Sequence, residues 1–385
     1  MTRRRVLTTA LTLTALAGLG VFAVDANAST TPAPATDSAL SAPSTIPGAD
    51  LQQRLDALVD GEAASAALFR VDVGREHWSG AAGVAELGGS EPADRRGHFR
   101  IGSVTKTFAA TVVLQLVDEG LLGLDDFVEE HLPGVVPNGS AITVRHVLNH
   151  GSGLHDYMSE PGYSTNRWRG DARFDSYEPR ELLDVAFAHG PDFEVPGSQW
   201  HYSNTNYIVA AMLIERLTGE SFADEVEDRV LRPARMRDTV VPGEDPGLPE
   251  PHAHGYTTVD GVLVDATEQN PSLDWAAGEM ISTTADLNRF FTALLSGRLT
   301  SRESLREMRQ TVATGTPLFE YGLGLQEYPL PCGKSAFGHG GQLLGYLTYS
   351  LRTDDGRVAT LSYNPYLRGA TQDEIVGILA GALCP

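Results

Sequence analysis

The feature that most constrains the fold is the placement of the β-strand patterns, which lie near both ends of the chain. Alternation typical of strands occurs at 66–73 and 76–84, and again at 335–340, 346–352 and 357–363. Between these groups the pattern is mainly helical, with long loops. Strands from both ends can bury their apolar faces together in one sheet. We therefore predict an α+β fold around a five-stranded antiparallel sheet, built from both chain ends and flanked by helices.

The domain boundaries follow from the same pattern. We predict one folded domain over 49–385, with a sheet region of about 49–124 and 275–385 and a mostly helical region inserted at about 125–274. The residues at 29–48 are rich in Ser, Thr, Ala and Pro, a composition that predicts a disordered linker.

The first 28 residues have the composition of an export signal. Arginines at 3–5 precede an apolar stretch at 6–24, and Ala26-Asn27-Ala28 provides a small-residue cleavage motif. Ala and Thr dilute the apolar stretch, and no later apolar run is long enough to span a bilayer. We therefore predict that 1–28 is a signal peptide and that the protein is secreted, with no stable membrane anchor.

The charge balance and the cysteine count narrow the function. The chain has 50 acidic and 29 basic residues and a formal net charge of −21, which argues against nucleic-acid binding. In an oxidising compartment, a disulfide between Cys332 and Cys384 is favoured over two free thiols. Two cysteines are too few for a zinc cage, and His146, His150 and His155 lack a plausible partner set of cysteines or carboxylates. No metal and no other cofactor is expected.

Ser103 and Lys106 form the first candidate catalytic pair. Ser103 is predicted to cap a helix, and Lys106 lies three residues later on the same helical face, within reach of the hydroxyl. An amine placed in this way can activate a serine nucleophile. The chain contains only two lysines, Lys106 and Lys334, and arginine does not deprotonate in proteins. A capped helix with a solvated lysine remains an alternative, because Ser-x-x-Lys is a weak pattern.

Two further stretches precede helices and contain candidate site residues. In Tyr202-Ser203-Asn204, a buried Tyr202 beside the ammonium could be held as a phenolate and act as a base, since a nearby positive charge lowers a tyrosine pKa. Asn204 can donate to a substrate carbonyl and accept from Lys106. The alternative is a packed tyrosine before a capped helix. Trp275 could form a wall of a substrate cleft or pack in the core.

A glycine-rich strand supplies the third candidate. His339, Gly340, Gly341 and Gln342 follow one another on a predicted strand. Glycines in a strand permit close approach of a ligand, and exposed amides could bind an extended peptide or an oxyanion. A bulge at a sheet edge is the alternative.

The order and spacing of these motifs resemble those of the penicillin-recognising serine hydrolases. Ser-x-x-Lys is followed about 100 residues later by Tyr-Ser-Asn and about 135 residues after that by His-Gly-Gly. More narrowly, the chain resembles secreted D-alanyl-D-alanine carboxypeptidases and the class C β-lactamases and esterases related to them, over roughly 50–385. The resemblance implies a β-lactamase/DD-peptidase-like fold, and a Cys332–Cys384 pair suits the carboxypeptidase branch.

The resemblance also implies an acyl-enzyme hydrolase that uses no metal. Ser103 would attack the carbonyl, and Lys106 and Tyr202 would exchange its proton. The oxyanion would lie between the backbone N–H groups of Ser103 and Gln342. Asn204 would orient the substrate amide.

The chain departs from the carboxypeptidase pattern on the strand side. His339 takes the place that relatives give to Lys or His. Carboxypeptidases have a threonine after this residue and another two residues later, where this chain has Gly340 and Gln342. Gln326 falls where they place an arginine thought to hold the peptide's C-terminal carboxylate, and arginine is the natural partner of a carboxylate.

We therefore expect a secreted serine hydrolase, with a D-alanyl-D-alanine carboxypeptidase as the first hypothesis. Its substrate would be a cell-wall stem peptide, a β-lactam would inhibit it, and the protein would be a monomer. Gln326 and Gly340 leave open an esterase, a D-amino-acid amidase or aminopeptidase, and a β-lactamase. A non-catalytic protein that binds β-lactams or peptides is a further alternative, although such a protein would be expected to lose the nucleophile or its amine.

Overall fold

The computed structural model describes residues 46–163, 170–259 and 261–384, and its centre is an antiparallel sheet. The strands of these residues are β1 (Ala64–Val73), β2 (Glu76–Gly83), β3 (Phe99–Arg100), β4 (Tyr256–Val259), β5 (Val262–Asp265), β6 (Ile281–Ser282), β7 (Val312–Ala313), β8 (Glu320–Tyr321), β9 (Gln326–Pro329), β10 (Ser335–Leu343), β11 (Tyr346–Thr353) and β12 (Arg357–Pro365). Eight strands form the sheet, in the order β2-β1-β12-β11-β10-β9-β8-β7, while β3 pairs with β6 and β4 with β5.

The two ends of the chain meet inside this sheet, as predicted. β1 pairs antiparallel with β12, and Phe69 lies opposite Leu361. The prediction of five strands is wrong, because β7, β8 and β9 extend the sheet beyond β10. β7 and β8 contain two residues each, too few to show the alternation by which a strand is recognised. The α+β class is confirmed.

The helices surround the sheet and fill the middle of the chain. They are α1 (Gly48–Asp60), α2 (Thr105–Asp118), α3 (Val128–His131), α4 (Val144–Leu148), α5 (Pro179–Phe187), α6 (Thr205–Thr218), α7 (Phe222–Val226), α8 (Arg232–Ala234), α9 (Thr284–Leu295), α10 (Arg302–Met308) and α11 (Gln372–Leu383). Short 3₁₀ turns lie at Gly102–Val104, Tyr157–Ser159, Gly170–Phe174, Pro271–Leu273 and Trp275–Ala277, and a π turn at Glu227–Leu231.

Side chains of β1 alternate between two hydrophobic cores. Leu68 packs into the core that contains α2, and Phe69 into the core that contains α1 and α11, because successive strand residues point to opposite faces. On the second face, Leu51 and Leu55 of α1 are fully buried. Burying a leucine stabilises the fold by about 1.5–3 kcal/mol. The sheet is therefore covered by helices on both faces, and α2 enters the larger core.

A disulfide joins the turn between β9 and β10 to the end of α11. It links Cys332 to Cys384, whose Cα atoms lie 5.9 Å apart, and it confirms the expected pairing. The predicted signal peptide at 1–28 and most of the predicted linker at 29–48 lie outside the described residues, and α1 begins at Gly48. Among the described helices, none has the length and apolar character needed to cross a membrane.

Candidate active site

The turn that contains Ser103 is pressed against β10. Ser103 lies within the 3₁₀ turn Gly102–Val104 and does not cap α2, whose N-cap is Val104. Gly102 has a φ of +51°, and a Cβ there would lie 2.6 Å from the nitrogen of Gln342. A Cβ at Gly341 would lie 1.9 Å from the carbonyl oxygen of Ile101. Only glycines allow this approach, which places the backbone around Ser103 against the backbone around Gln342.

Lys106 is buried and points at the serine hydroxyl. Its Nζ lies 3.0 Å from Ser103 Oγ and 2.7 Å from both Asn204 Oδ1 and the carbonyl oxygen of Ala277. Burial lowers the pKa of Lys106 to about 7, although the negative charges of Asp156 and Asp274 act in the opposite direction. A pKa lowered toward neutrality lets the amine lose its proton near pH 7, and a neutral amine can accept the serine proton. The solvated lysine that we left open is not observed.

Tyr202 lies beside the same pair of groups. It hydrogen-bonds Ser103, and its ring lies 5.0 Å from the Lys106 ammonium. Burial nevertheless raises the pKa of Tyr202 above its ordinary value, and the hydrogen bond from Ser103 only partly opposes this. The direction of this shift favours the phenol over the phenolate that the sequence suggested. A protonated Tyr202 can pass a proton on.

Asn204 is held by a carboxylate that the motif analysis did not identify. Asp156 accepts from the backbone N–H of Asn204 at 3.0 Å and from its Nδ2 at 3.1–3.2 Å. These bonds fix the amide with its oxygen toward Lys106. Asp156 lies 48 residues from Asn204 along the chain, so nothing local in the sequence connects the two. The sequence could have drawn attention to Asp156 only through its place directly after Gly153-Leu154-His155.

The glycine-rich strand contributes mainly backbone to the site. His339 is buried, its Nδ1 donates to the Gly340 oxygen at 2.5 Å, and its Nε2 accepts from the Tyr321 hydroxyl at 2.9 Å. Burial lowers the pKa of His339 to about 3. His339 is therefore neutral and supports the strand, whereas Gln342 is exposed at its edge.

Trp275 does not line the substrate cleft that we expected it to bound. Its half-buried ring packs edge-on against Phe222, with the ring centroids 5.9 Å apart. The contribution of this segment is instead the carbonyl oxygen of Ala277, which accepts from Lys106. Trp275 therefore packs against the edge of the larger core.

A cavity of about 270 Å³ opens in front of Ser103 between Tyr202 and β10. Aromatic side chains that the motif analysis missed form much of its wall: Phe319, Tyr328 and Tyr349. Phe319 precedes the two-residue strand β8, where no pattern marks it. Among the described residues that line this cavity, none has a cationic side chain.

Gln326 is buried at the edge of this cavity and is used internally. Its Oε1 accepts from the backbone N–H of Gly340 at 2.7 Å and from the Tyr328 hydroxyl at 2.6 Å. The side chain at this position therefore shapes the glycine-rich strand and supplies no positive charge.

His146, His150 and His155, which we expected to lack cysteine or carboxylate partners for a metal site, differ in their surroundings. His146 accepts from the backbone N–H of Thr143 and helps to cap α4. The ring of His150 packs at a tilt of 33° against that of Tyr202, with the centroids 4.2 Å apart, and burial lowers the pKa of His150. For His155 the prediction is wrong, because Glu160 and Asp192 both lie within hydrogen-bonding distance of its ring.

Comparison with known proteins agrees with this geometry. Residues 51–364 match the family model described as Beta-lactamase. Penicillin-binding protein 4* of Bacillus subtilis (strain 168) is 31% identical over 297 residues, which cover 73% of this chain and 63% of that protein. The chain therefore spans less than two thirds of the length of this relative.

Two solved structures extend the comparison over most of the chain. A D-stereospecific amidohydrolase from Streptomyces sp. superposes with a TM-score of 0.80 at 38% identity, covering 88% of this chain and 98% of its own. The D-amino acid amidase from Ochrobactrum anthropi SV3, complexed with D-phenylalanine, gives a TM-score of 0.75 at 29% identity and covers 86% and 97%. With the matched family model and the expected fold, these similarities show that the chain belongs to the beta-lactamase family of serine hydrolases.

Proposed function

We propose that this protein is a secreted serine hydrolase that cleaves amides or esters of D-amino acids through an acyl-enzyme on Ser103. The observation that carries this choice is the position of Gln326, which is buried and bonded to Gly340 and Tyr328. A carboxypeptidase must hold a free C-terminal carboxylate, and the natural partner of a carboxylate is arginine. A leaving group without a carboxylate suits a cavity whose described lining lacks a cation.

The first half of the reaction is acylation. Neutral Lys106 takes the proton of Ser103 as its Oγ attacks the substrate carbonyl, across the 3.0 Å that separates Nζ from Oγ. The oxyanion forms between the N–H groups of Ser103 and Gln342, where each donor contributes roughly 10²–10³ in rate. The proton then passes by way of Tyr202 to the leaving nitrogen or oxygen, the bond to the leaving group breaks, and the Ser103 ester remains.

The second half is hydrolysis of that ester. Water enters where the leaving group was, and Lys106 with Tyr202 accepts its proton as its oxygen attacks the acyl carbon. The same two N–H groups hold the second oxyanion. The bond to Ser103 Oγ then breaks, the proton returns to Oγ, and the free acid departs. Asn204, fixed by Asp156, keeps Lys106 aligned throughout.

The D-configuration and the apolar acyl group are supported by the comparisons and by the cavity. Both structural neighbours reported above are described as acting on D-configured substrates, and one was solved with D-phenylalanine. The aromatic wall of Phe319, Tyr328 and Tyr349 suits an aromatic side chain. Secretion is supported by the signal-like composition of 1–28.

A D-alanyl-D-alanine carboxypeptidase, the first hypothesis from the sequence, remains the second candidate. It is favoured by the 31% identity to a penicillin-binding protein. In that case the enzyme would release D-Ala from cell-wall stem peptides, and β-lactams would acylate Ser103.

One panel of substrates separates the two candidates. We expect kcat/KM for D-phenylalanine amide to exceed that for L-phenylalanine amide at least roughly tenfold, and also to exceed that for D-Ala release from diacetyl-L-Lys-D-Ala-D-Ala. Ser103→Ala is the control and should abolish all three activities. Faster release of D-Ala than of ammonia would establish the carboxypeptidase instead, and full activity of Ser103→Ala would refute both.

A further inference from the structure

Three potential metal ligands converge outside the active site. His155 lies in the loop after α4, Glu160 directly after the Tyr157–Ser159 turn, and His189 just after α5. One ligand atom from each lies within 4.8 Å of the others. The side chains of His155 and Glu160 are 19% and 26% exposed, and that of His189 is 47% exposed. The cluster is therefore preformed but open to solvent.

The spacing of these atoms matches that of a zinc coordination shell. His155 Nε2 lies 3.2 Å from Glu160 Oε1, and His189 Nε2 lies 3.3 Å from the same oxygen. Tetrahedral ligands with bonds of 2.0–2.1 Å are separated by about 3.3 Å. Two of the three separations therefore agree with this geometry without any movement of the side chains.

A second, independent observation is the outer partner of His155. Its other ring nitrogen, Nδ1, lies 2.8 Å from Asp192 Oδ1, and the second oxygen of Asp192 bonds His201 at 2.5 Å. A histidine that ligates a metal almost always donates its remaining N–H to a carboxylate, a backbone carbonyl or water, which fixes the tautomer and the ring orientation. Here that arrangement points Nε2 of His155 toward Glu160.

We propose that His155, Glu160 and His189 bind a divalent zinc-type cation, with water in the fourth position. Two histidines and one carboxylate are a ligand set that zinc uses in proteins. The ion would take the place of the direct contacts between Glu160 and the two rings. It would also fix the segment that continues into Asp156, the carboxylate that holds Asn204.

The competing arrangement is a network of hydrogen bonds around a protonated His155. Hydrogen bonds to Asp192 and Glu160 outweigh burial and raise the pKa of His155. The two arrangements differ in what they require. A protonated network needs no ion, whereas the metal site needs all three side chains and releases protons as the ion binds.

The test is calorimetric titration of the tag-free protein with ZnCl₂, paired with thermal unfolding. We expect one equivalent to bind, with proton release and a rise in Tm. His189→Asn, at the most exposed ligand, should weaken binding at least tenfold. Asp192→Asn should weaken it roughly ten- to a hundredfold.

His254→Asn is the matched control. His254 also bonds a carboxylate, Asp265, and the ring of His252 lies nearby. Among the residues that the structure describes, these side chains are not part of a cluster of three potential metal ligands. Zinc binding should be unchanged in this variant. Absence of saturable binding at one equivalent, or equal affinity in the wild type and in His189→Asn, would overturn the proposal.

Discussion

The two walls of the active site are built in different ways. On the side of α2 and α6, polar side chains run from the half-buried Asp156 through Asn204 to the fully buried Lys106, each bonded to the next. On the side of β10, the important groups are backbone atoms, and the close approach depends on Gly102 and Gly341 having no side chain. The first wall sets the proton affinity of the base. The second determines where the oxyanion lies and what fits beside it.

Removing the amine should have the largest effect on the side-chain wall. We expect Lys106→Met to lower kcat/KM by about 10⁴-fold, because Ser103 then has no base while the oxyanion donors remain. Lys334→Met is the matched control, since the chain's other lysine forms a surface pair with Asp355 and should leave the rate unchanged. Steady-state kinetics with D-phenylalanine amide would measure both. A comparable loss in the two variants would mean that the loss of a positive charge, and not the loss of the base beside Ser103, lowers the rate.

Adding one methyl group should test the backbone wall. In Gly341→Ala the new Cβ would meet the Ile101 oxygen at 1.9 Å, so the strand must move away from Ser103. We expect a loss of about 10²–10³-fold in kcat, the usual cost of one oxyanion donor. In Gly340→Ala the nearest atoms are side-chain atoms of Tyr328 and Tyr349, at 3.1 and 3.2 Å, which can shift. An equal loss in both variants would show that general crowding, rather than the oxyanion position, is responsible.

The sequence reveals these two walls unequally. Ser103, Lys106, Tyr202 and Asn204 could be identified because helix geometry and motif order place reactive groups at recognisable spacings. The pKa values of these groups could not be inferred, since a sequence shows which charged residues are present but not how deeply each is buried. For the same reason the sequence does not show that burial raises the pKa of Tyr202.

Long-range contacts limit the sequence analysis in a second way. Asp156 and the aromatic wall at Phe319 act through partners distant in the chain, and His155 has its partners Glu160 and Asp192 only once the loops fold. The fold class could be predicted without knowledge of such contacts, because strand patterns near both ends of the chain are enough to indicate it. The two-residue strands β7 and β8, at one end of the sheet, carry no pattern and were missed.

The pH dependence should report the side-chain wall directly. Because Lys106 must be neutral to act and its pKa is about 7, kcat/KM should rise with pH and level off above that value. At pH 6 it should be about tenfold below the plateau. Asp156 raises the pKa of Lys106, so Asp156→Asn should move the rising limb to lower pH. A limb that stays in place would mean that another group is the base.

Replacing Gln326 should change specificity more than rate, because this residue borders the cavity in front of Ser103 but does not contact Ser103 or Lys106. Gln326→Arg would place a cation near the cavity and should raise kcat/KM for diacetyl-L-Lys-D-Ala-D-Ala, relative to D-phenylalanine amide, by about tenfold through a lower KM. Gln326→Glu keeps an acceptor for the Gly340 N–H but adds a negative charge, so the ratio should fall. Opposite shifts in this pair of variants separate the effect of charge from that of a disturbed strand, because a disturbed strand would lower both activities together. Shifts in the same direction would mean that Gln326 acts only by holding Gly340.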